Sequence, residues 1–251
     1  MIKIKPPREL TKEEQYRISE NWFKPLEGVC FQDWNDTLRK ASYPINFHRL
    51  PKEKIRPMID LMYDSKGDIE TIMELVSPHF DIPNYDNGFF IKLISRSPKD
   101  WSDKLQFFNL KDAMQAVLNS MRCFDDLVML SRLDCDNFIT RPFIDIEKWR
   151  EFRVLVFDGK IQGISQYFYD ETFSIISQHA VIIEQSIRRF IDEIVTPNMK
   201  VKSFCADIVW PSSAFSSSEN IILLETNPYG LSDPCIFKSY ENLDGTFKYN
   251  I

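Results

Sequence analysis

The sequence predicts an α+β protein in which antiparallel strand pairs are set between amphipathic helices. Three observations predict it. Two alternating apolar runs flank Asp158-Gly159 in "EFRVLVFDGKIQGISQYF", Glu151 to Phe168, the strongest short hairpin signal in the chain. "SFCADIVW" and "IILLETNPYG" read as two further strands, joined into a second hairpin by the Ser-rich loop "PSSAFSSSEN". Between the hairpins, roughly from His179 to Val195, Ile182, Ile183, Ile187, Phe190, Ile191 and Ile194 recur at helical spacing.

The remaining elements follow in order. Thr11 and Glu14 form a capping box that opens a helix running toward Trp22. Residues 24–64 are aromatic and Pro-punctuated, with a helix after Pro51. Asp68 opens the helix "IETIMELV", closed by Pro78 and Pro83. "FFIKLI", 89–94, is a strand, and "SPKDW" after it is a turn. Asn109 with Asp112 starts the helix "LKDAMQAVLNSM", and "DDLVML" is a second helical piece. "NFITRPFIDI" is extended, and Pro142 predicts an edge or a bend there. A boundary is expected near residues 136 to 145, taken at 136 to give an N-terminal lobe, 1–136, and a C-terminal lobe, 137–251.

Composition excludes several functions. With 251 residues, 43% of them hydrophobic, the chain can build a substantial core. No apolar run approaches the roughly 18–20 residues of a membrane span, and the N-terminus lacks a signal peptide's apolar segment. A cytoplasmic location is expected. Five scattered cysteines without a CxxC pair predict free thiols. The net charge of −6 argues against a general nucleic-acid binder. With only 7 glycines there is neither a GxxxxGK[ST] loop nor a GxGxxG turn. HExxH and GxSxG are also absent.

The informative residues are charges inside apolar strands, because an unpartnered buried charge is costly. Lys92 lies within FFIKLI, Arg153 within EFRVLVF and Asp207 within FCADIVW. Glu225 and Asn227 end the strand IILLETN and, two residues apart, share a face. Each has an ordinary reading: Lys92 at a strand edge, Arg153 paired with Glu151, Asp207 starting a bend, Asn227 forming a turn. Together they suit a magnesium nucleotide, with Lys and Arg offsetting phosphate charge and Asp, Glu and Asn offering hard oxygen ligands. A structural ion-pair network is the competing explanation.

"FFIKLISRSPKDW", "EFRVLVFDGKIQGISQYFYD", "FCADIVW" and "IILLETNPYGLSDPCIFKSYENL" resemble, in order and spacing, the motifs of the cell division cycle protein 123 family. That family's pattern runs F-P-K-L, S-P-K-D, E-F-R…G-I-S-Q, F-D-I-Y and L-I-D-F-N-P-F-G-x-x-T-D, and the similarity spans about Phe89 to Leu243. The resemblance implies an ATP-grasp fold, with ATP in a cleft between two lobes of mainly antiparallel sheet. It implies that Lys92 and Arg153 face the phosphates, that Ile139, Arg141 and Phe143 lie by the adenine, and that Asp207, Glu225 and Asn227 hold Mg²⁺. Three positions depart from the pattern: Ile94 replaces an Asn, Tyr167 a basic residue and Glu225 an Asp.

The implied function is an ATP-dependent assembly chaperone for translation initiation factor 2, acting through its gamma subunit. The alternative is a ligase that activates a carboxylate as an acyl-phosphate and passes it to an amine or thiol. No acceptor site is apparent in the sequence, although Ser97 to Asp100 and Asp233 lie near the motif ends. No nucleic-acid or membrane partner is expected.

Overall fold

The structure of the protein is a computed structural model. It describes residues 23–63, 68–101, 104–130, 137–211 and 221–251, with positions 11, 13, 14, 17 and 21. The Ser-rich loop at 212–220 and most of the N-terminal helix lie outside the described residues. Its contacts divide the chain into two units, Met1–Phe23 with Pro44–Ile144, and Lys24–Tyr43 with Asp145–Ile251. This differs from a boundary at 136: the 137–144 segment belongs to the first unit, and 24–43, which contains the short helix α1 (Asp36–Lys40), belongs to the second.

The first unit runs β1 (Asn46–His48), α2 (Lys52–Tyr63), α3 (Ile69–Val76), β2 (Phe89–Leu93), α4 (Leu110–Asn119), α5 (Met121–Leu130) and β3 (Phe138–Pro142). Its sheet is antiparallel with β3 in the centre, in the order β1-β3-β2. Pro142 is therefore not on an edge strand. It is tolerated because it is the last residue of β3, opposite Phe89 at the start of β2. Phe89, Ile91, Leu93 and Phe138 are buried in one cluster with α4 and α5 residues such as Met114 and Leu127.

Helix starts follow the sequence. The Asp68 carboxylate accepts from the Thr71 amide at 2.8 Å, and the Asn109 side chain accepts from the Asp112 amide at 2.9 Å. The Thr11 amide donates to Glu14 at 2.9 Å while the Glu14 amide donates back to the Thr11 hydroxyl, a complete capping box.

The second unit continues with β4 (Glu151–Phe157), β5 (Lys160–Gln166), α6 (Ser174–Phe190), β6 (Phe204–Val209), β7 (Ile222–Pro228) and β8 (Phe247–Lys248). The sheet order is β7-β6-β4-β5-β8, with β5–β8 the parallel pair. Asp158 (φ 45°) and Gly159 (φ 73°) both take the left-handed conformation that a two-residue hairpin turn requires. Helix α6 begins five residues before His179, because Ile176 extends the buried stripe of Ile183 and Ile187. A π-type turn, Ile191–Val195, continues it.

Residues 24–43 join this sheet through β7. The Trp34 indole donates to the Thr226 hydroxyl at 2.9 Å, and the Leu223 amide donates to the Ala41 carbonyl at 2.8 Å. Among the described residues no helix is long and apolar enough to cross a membrane.

Candidate functional site

In the second unit, strand register lines up the charged residues. Ser165 lies opposite Arg153, Arg153 opposite Asp207 and Asp207 opposite Glu225, so one polar row crosses β5, β4, β6 and β7 on one face. Lys248 on β8 continues it beside Ser165. A bulge sets the row's end. Ile208 pairs with Leu223 but Asp207 pairs with Glu225, leaving Leu224 as the extra residue. Without it, Leu224 would face Asp207, and Glu225 and Asn227 would turn to the other side.

The row is largely dry: Arg153 is 6% exposed, Asp207 1% and Ser165 0%. Arg153 Nε and Nη2 each donate to one Asp207 carboxylate oxygen at 2.7 Å, a bidentate pair. Nη1 donates to the Asp233 carbonyl at 2.9 Å, and the guanidinium lies 4.9 Å from the Tyr167 ring centre. Arg153 thus pairs with Asp207 rather than Glu151. Burial works against its charge, but the Asp207 carboxylate more than offsets this and raises its pKa above the ordinary value.

The Asn227 amide nitrogen lies 3.3 Å from Asp207 Oδ2 and 3.2 Å from Glu225 Oε1. One donor thus sits between two carboxylates, the position a cation would favour.

Two residues along the strands, the same face becomes apolar. Leu155 and Cys205 pack with Phe237, and Gly163 leaves room for that ring, since a Cβ there would lie 2.7 Å from Phe237 Cζ. Burial pushes the Cys205 thiol up to about 11 and the Cys235 thiol up to about 12. Neither is a thiolate at neutral pH.

Asp233 ties the segment after β7 to the row. Besides its carbonyl bond to Arg153, its carboxylate accepts from the Cys235 amide at 2.8 Å and the Tyr169 hydroxyl at 3.3 Å.

In the first unit, Lys92 lies opposite Ile139, and Phe90 opposite Arg141. Lys92, Phe90, Ile139 and Arg141 therefore share the face opposite the Ile91 and Leu93 core side. The Arg141 guanidinium lies 5.1 Å from the Phe90 ring centre. Phe143 follows, its amide bonded to the Gly88 carbonyl at 3.0 Å and its ring 5.8 Å from Lys104 Nζ. Lys92 is 4% exposed. Ile94, one residue past β2, packs against the apolar cluster.

Sequence reasoning missed Asp126. It lies inside α5 next to Asp125 and reads as surface charge, yet it is fully buried. Only its spacing from Cys123 and Leu130, on the buried stripe of the helix, could have exposed it.

The donor chemistry of the row fits magnesium. Among the described residues no three His, Cys, Asp or Glu side chains are grouped to hold a metal alone. Magnesium with a nucleotide asks for less: one or two carboxylates, with phosphate and water completing the octahedron.

A family model described as D123 matches residues 81–249. A translation initiation factor eIF2 assembly protein of Kluyveromyces lactis is 33% identical over 103 residues, covering 39% of this chain and 26% of that protein. One of Vanderwaltozyma polyspora is 29% identical over 109 residues, covering 42% and 27%. The match thus spans about a quarter of the length of these curated relatives. Among solved structures, Cdc123 from Schizosaccharomyces pombe aligns with TM-score 0.65 at 14% identity, over 96% of this chain and 98% of that one. Its C-terminally truncated form aligns with TM-score 0.66 at 13% identity, over 91% and 97%. The fold is therefore that of the Cdc123 structures, and the family model covers well over half of the sequence. The chain, an α+β protein, belongs to the D123 family, the cell division cycle protein 123 family.

Proposed function

We propose that this protein binds ATP with Mg²⁺ and acts as an assembly chaperone for translation initiation factor 2, engaging its gamma subunit. The observation that carries the nucleotide half is the row Arg153–Asp207–Glu225, buried at Arg153 and Asp207, with Asn227 between the two carboxylates. Asp207, Glu225 and Asn227 would hold the metal, and Arg153 and Lys92 would meet the phosphates. Ile139, Arg141 and Phe143 would take the base side. Bound magnesium would neutralise phosphate charge and fix the polyphosphate.

The ligand-free pairing is consistent with this. Arg153 and Asp207 neutralise each other while buried, which avoids the cost of isolated charges. A magnesium polyphosphate brings each a new counter-charge, a cation for Asp207 and anions for Arg153. The Asn227 amide, whose O and N are assigned from its hydrogen bonds, can present oxygen to a cation once it turns over.

The assembly half is supported by the two relatives carrying that name and by the likeness to Cdc123 along nearly the whole chain. Two experiments test the proposal. ATP–Mg²⁺ at about 100 times Kd should stabilise the protein by about 2.7 kcal/mol, and no thermal shift would refute nucleotide binding. Purified gamma subunit should be retained by the immobilised protein, and failure to retain it with ATP–Mg²⁺ present would refute the partner. ADP release that depends on an added amine or thiol acceptor would instead favour a ligase.

A further inference from the structure

Asp126 is a buried ionisable group outside the polar row. It projects from the middle of α5 with none of its surface exposed. One carboxylate oxygen accepts from the Ser95 hydroxyl. Among the described residues the other, Oδ1, has no hydrogen bond and has the Arg96 Nε at 3.7 Å, from a side chain that is 38% exposed. Burial, opposed by Ser95, Arg96 and Lys92, holds its carboxyl above the usual carboxylate range.

A buried carboxylate with one oxygen unsatisfied destabilises a fold. An Asn has the same shape and no charge, so packing gives no reason for Asp here. What sets the position apart is its surroundings. Ser95 and Arg96 belong to the turn that ends β2, where the Leu93 amide bonds to the Arg96 carbonyl at 2.8 Å. Lys92, four residues before Arg96, is itself 4% exposed. The turn is also tied to α5 from its far side. Asp100 accepts from the Ser120 hydroxyl, and from the Arg122 amide at 3.3 Å, while Ser120 Oγ accepts from the Cys123 amide at 3.1 Å.

We propose that Asp126 is a positioning residue for the cations of the nucleotide site. Its buried carboxylate holds the β2 turn through Ser95 and orients Arg96, four residues past Lys92, for a polyphosphate. This rests on the ATP reading above, and adds Arg96 as a second phosphate-facing cation of the first unit. A charge kept against stability is the mark of a group retained for binding. The functional cost should therefore appear without a folding cost.

The test is Asp126→Asn, beside Arg96→Gln and wild type, measuring Tm without ligand and Kd for ATP–Mg²⁺ by calorimetry. Asp126→Asn should equal or exceed wild type in Tm while binding ATP–Mg²⁺ about tenfold more weakly, as loss of an orienting partner typically does. Arg96→Gln should weaken binding in the same direction, and its effect should shrink in the Asp126→Asn background. If wild type binds ATP–Mg²⁺ and Asp126→Asn binds it equally well, the positioning role is wrong and the ATP reading stands. If Asp126→Asn lowers Tm and affinity together, Asp126 is structural and the proposal is also overturned. Absence of binding by wild type overturns both readings.

Discussion

Replacing Arg153 by Met removes one half of the buried pair and leaves the other stranded. Three hydrogen bonds go: two to Asp207 and one to the Asp233 carbonyl. Asp207 would remain 1% exposed and keep the Asn227 amide at 3.3 Å, but would lose its bidentate cation. Breaking a buried pair from one side typically costs about 3–5 kcal/mol. The low exposure of both partners argues for the middle of that range, about 4 kcal/mol. For a chain of this size each kcal/mol moves Tm by about 2–4 °C, so calorimetry should find Arg153→Met lower by about 8–16 °C. The double variant Arg153→Met with Asp207→Leu strands no charge and should recover at least half of that loss. An Arg153→Met variant within about 2 °C of wild type would refute the reasoning. So would a double variant as unstable as the two single losses added together.

The other predictions concern packing and protonation. Gly163→Ala would set a methyl 2.7 Å and 2.8 Å from two Phe237 ring atoms; overpacking of this kind costs about 1–3 kcal/mol, read as a lower urea midpoint. Burial raises the thiols of Cys123 and Cys205 to about 11 and that of Cys235 to about 12. Alkylation of the native protein near pH 8 should therefore spare these three, as peptide mass spectrometry would show, and modify them only in denaturant. The Asp126 carboxyl is raised by burial, against the cations Lys92 and Arg96 and with neighbouring Asp125 adding to the rise. The folded state then holds that proton more tightly than the unfolded chain, and stability falls as pH rises through the folded pKa. The Tm advantage of Asp126→Asn should vanish at pH below the ordinary carboxylate range and be largest at neutral pH.

Local chemistry was legible in the sequence. The caps at Thr11, Asp68 and Asn109 and the Asp158-Gly159 hairpin rest on neighbours a few residues apart. The shared face of Glu225 and Asn227 follows from strand alternation, and their hydrogen bond is present. Partners far apart in sequence were not legible. Arg153 has Glu151 nearby, but the residue opposite it in the sheet is Asp207, 54 positions away. No local signal marks the Leu224 bulge that brings Glu225 opposite Asp207.

Nor does any local signal show that 24–43 docks on β7, since that depends on the Trp34–Thr226 bond across 192 positions. Pro142 misled for a related reason: a proline at the end of a central strand looks locally like one on an edge.

The most direct test of the central claim is calorimetric titration of ATP into the wild-type protein and into Glu225→Gln, with and without Mg²⁺. Glu225 is only partly buried and its loss leaves the Arg153–Asp207 pair intact, so the fold is not at issue. The account predicts that Mg²⁺ tightens ATP binding to wild type, and that most of this gain disappears in Glu225→Gln. No binding of ATP by wild type, or an affinity indifferent to Mg²⁺, would contradict it.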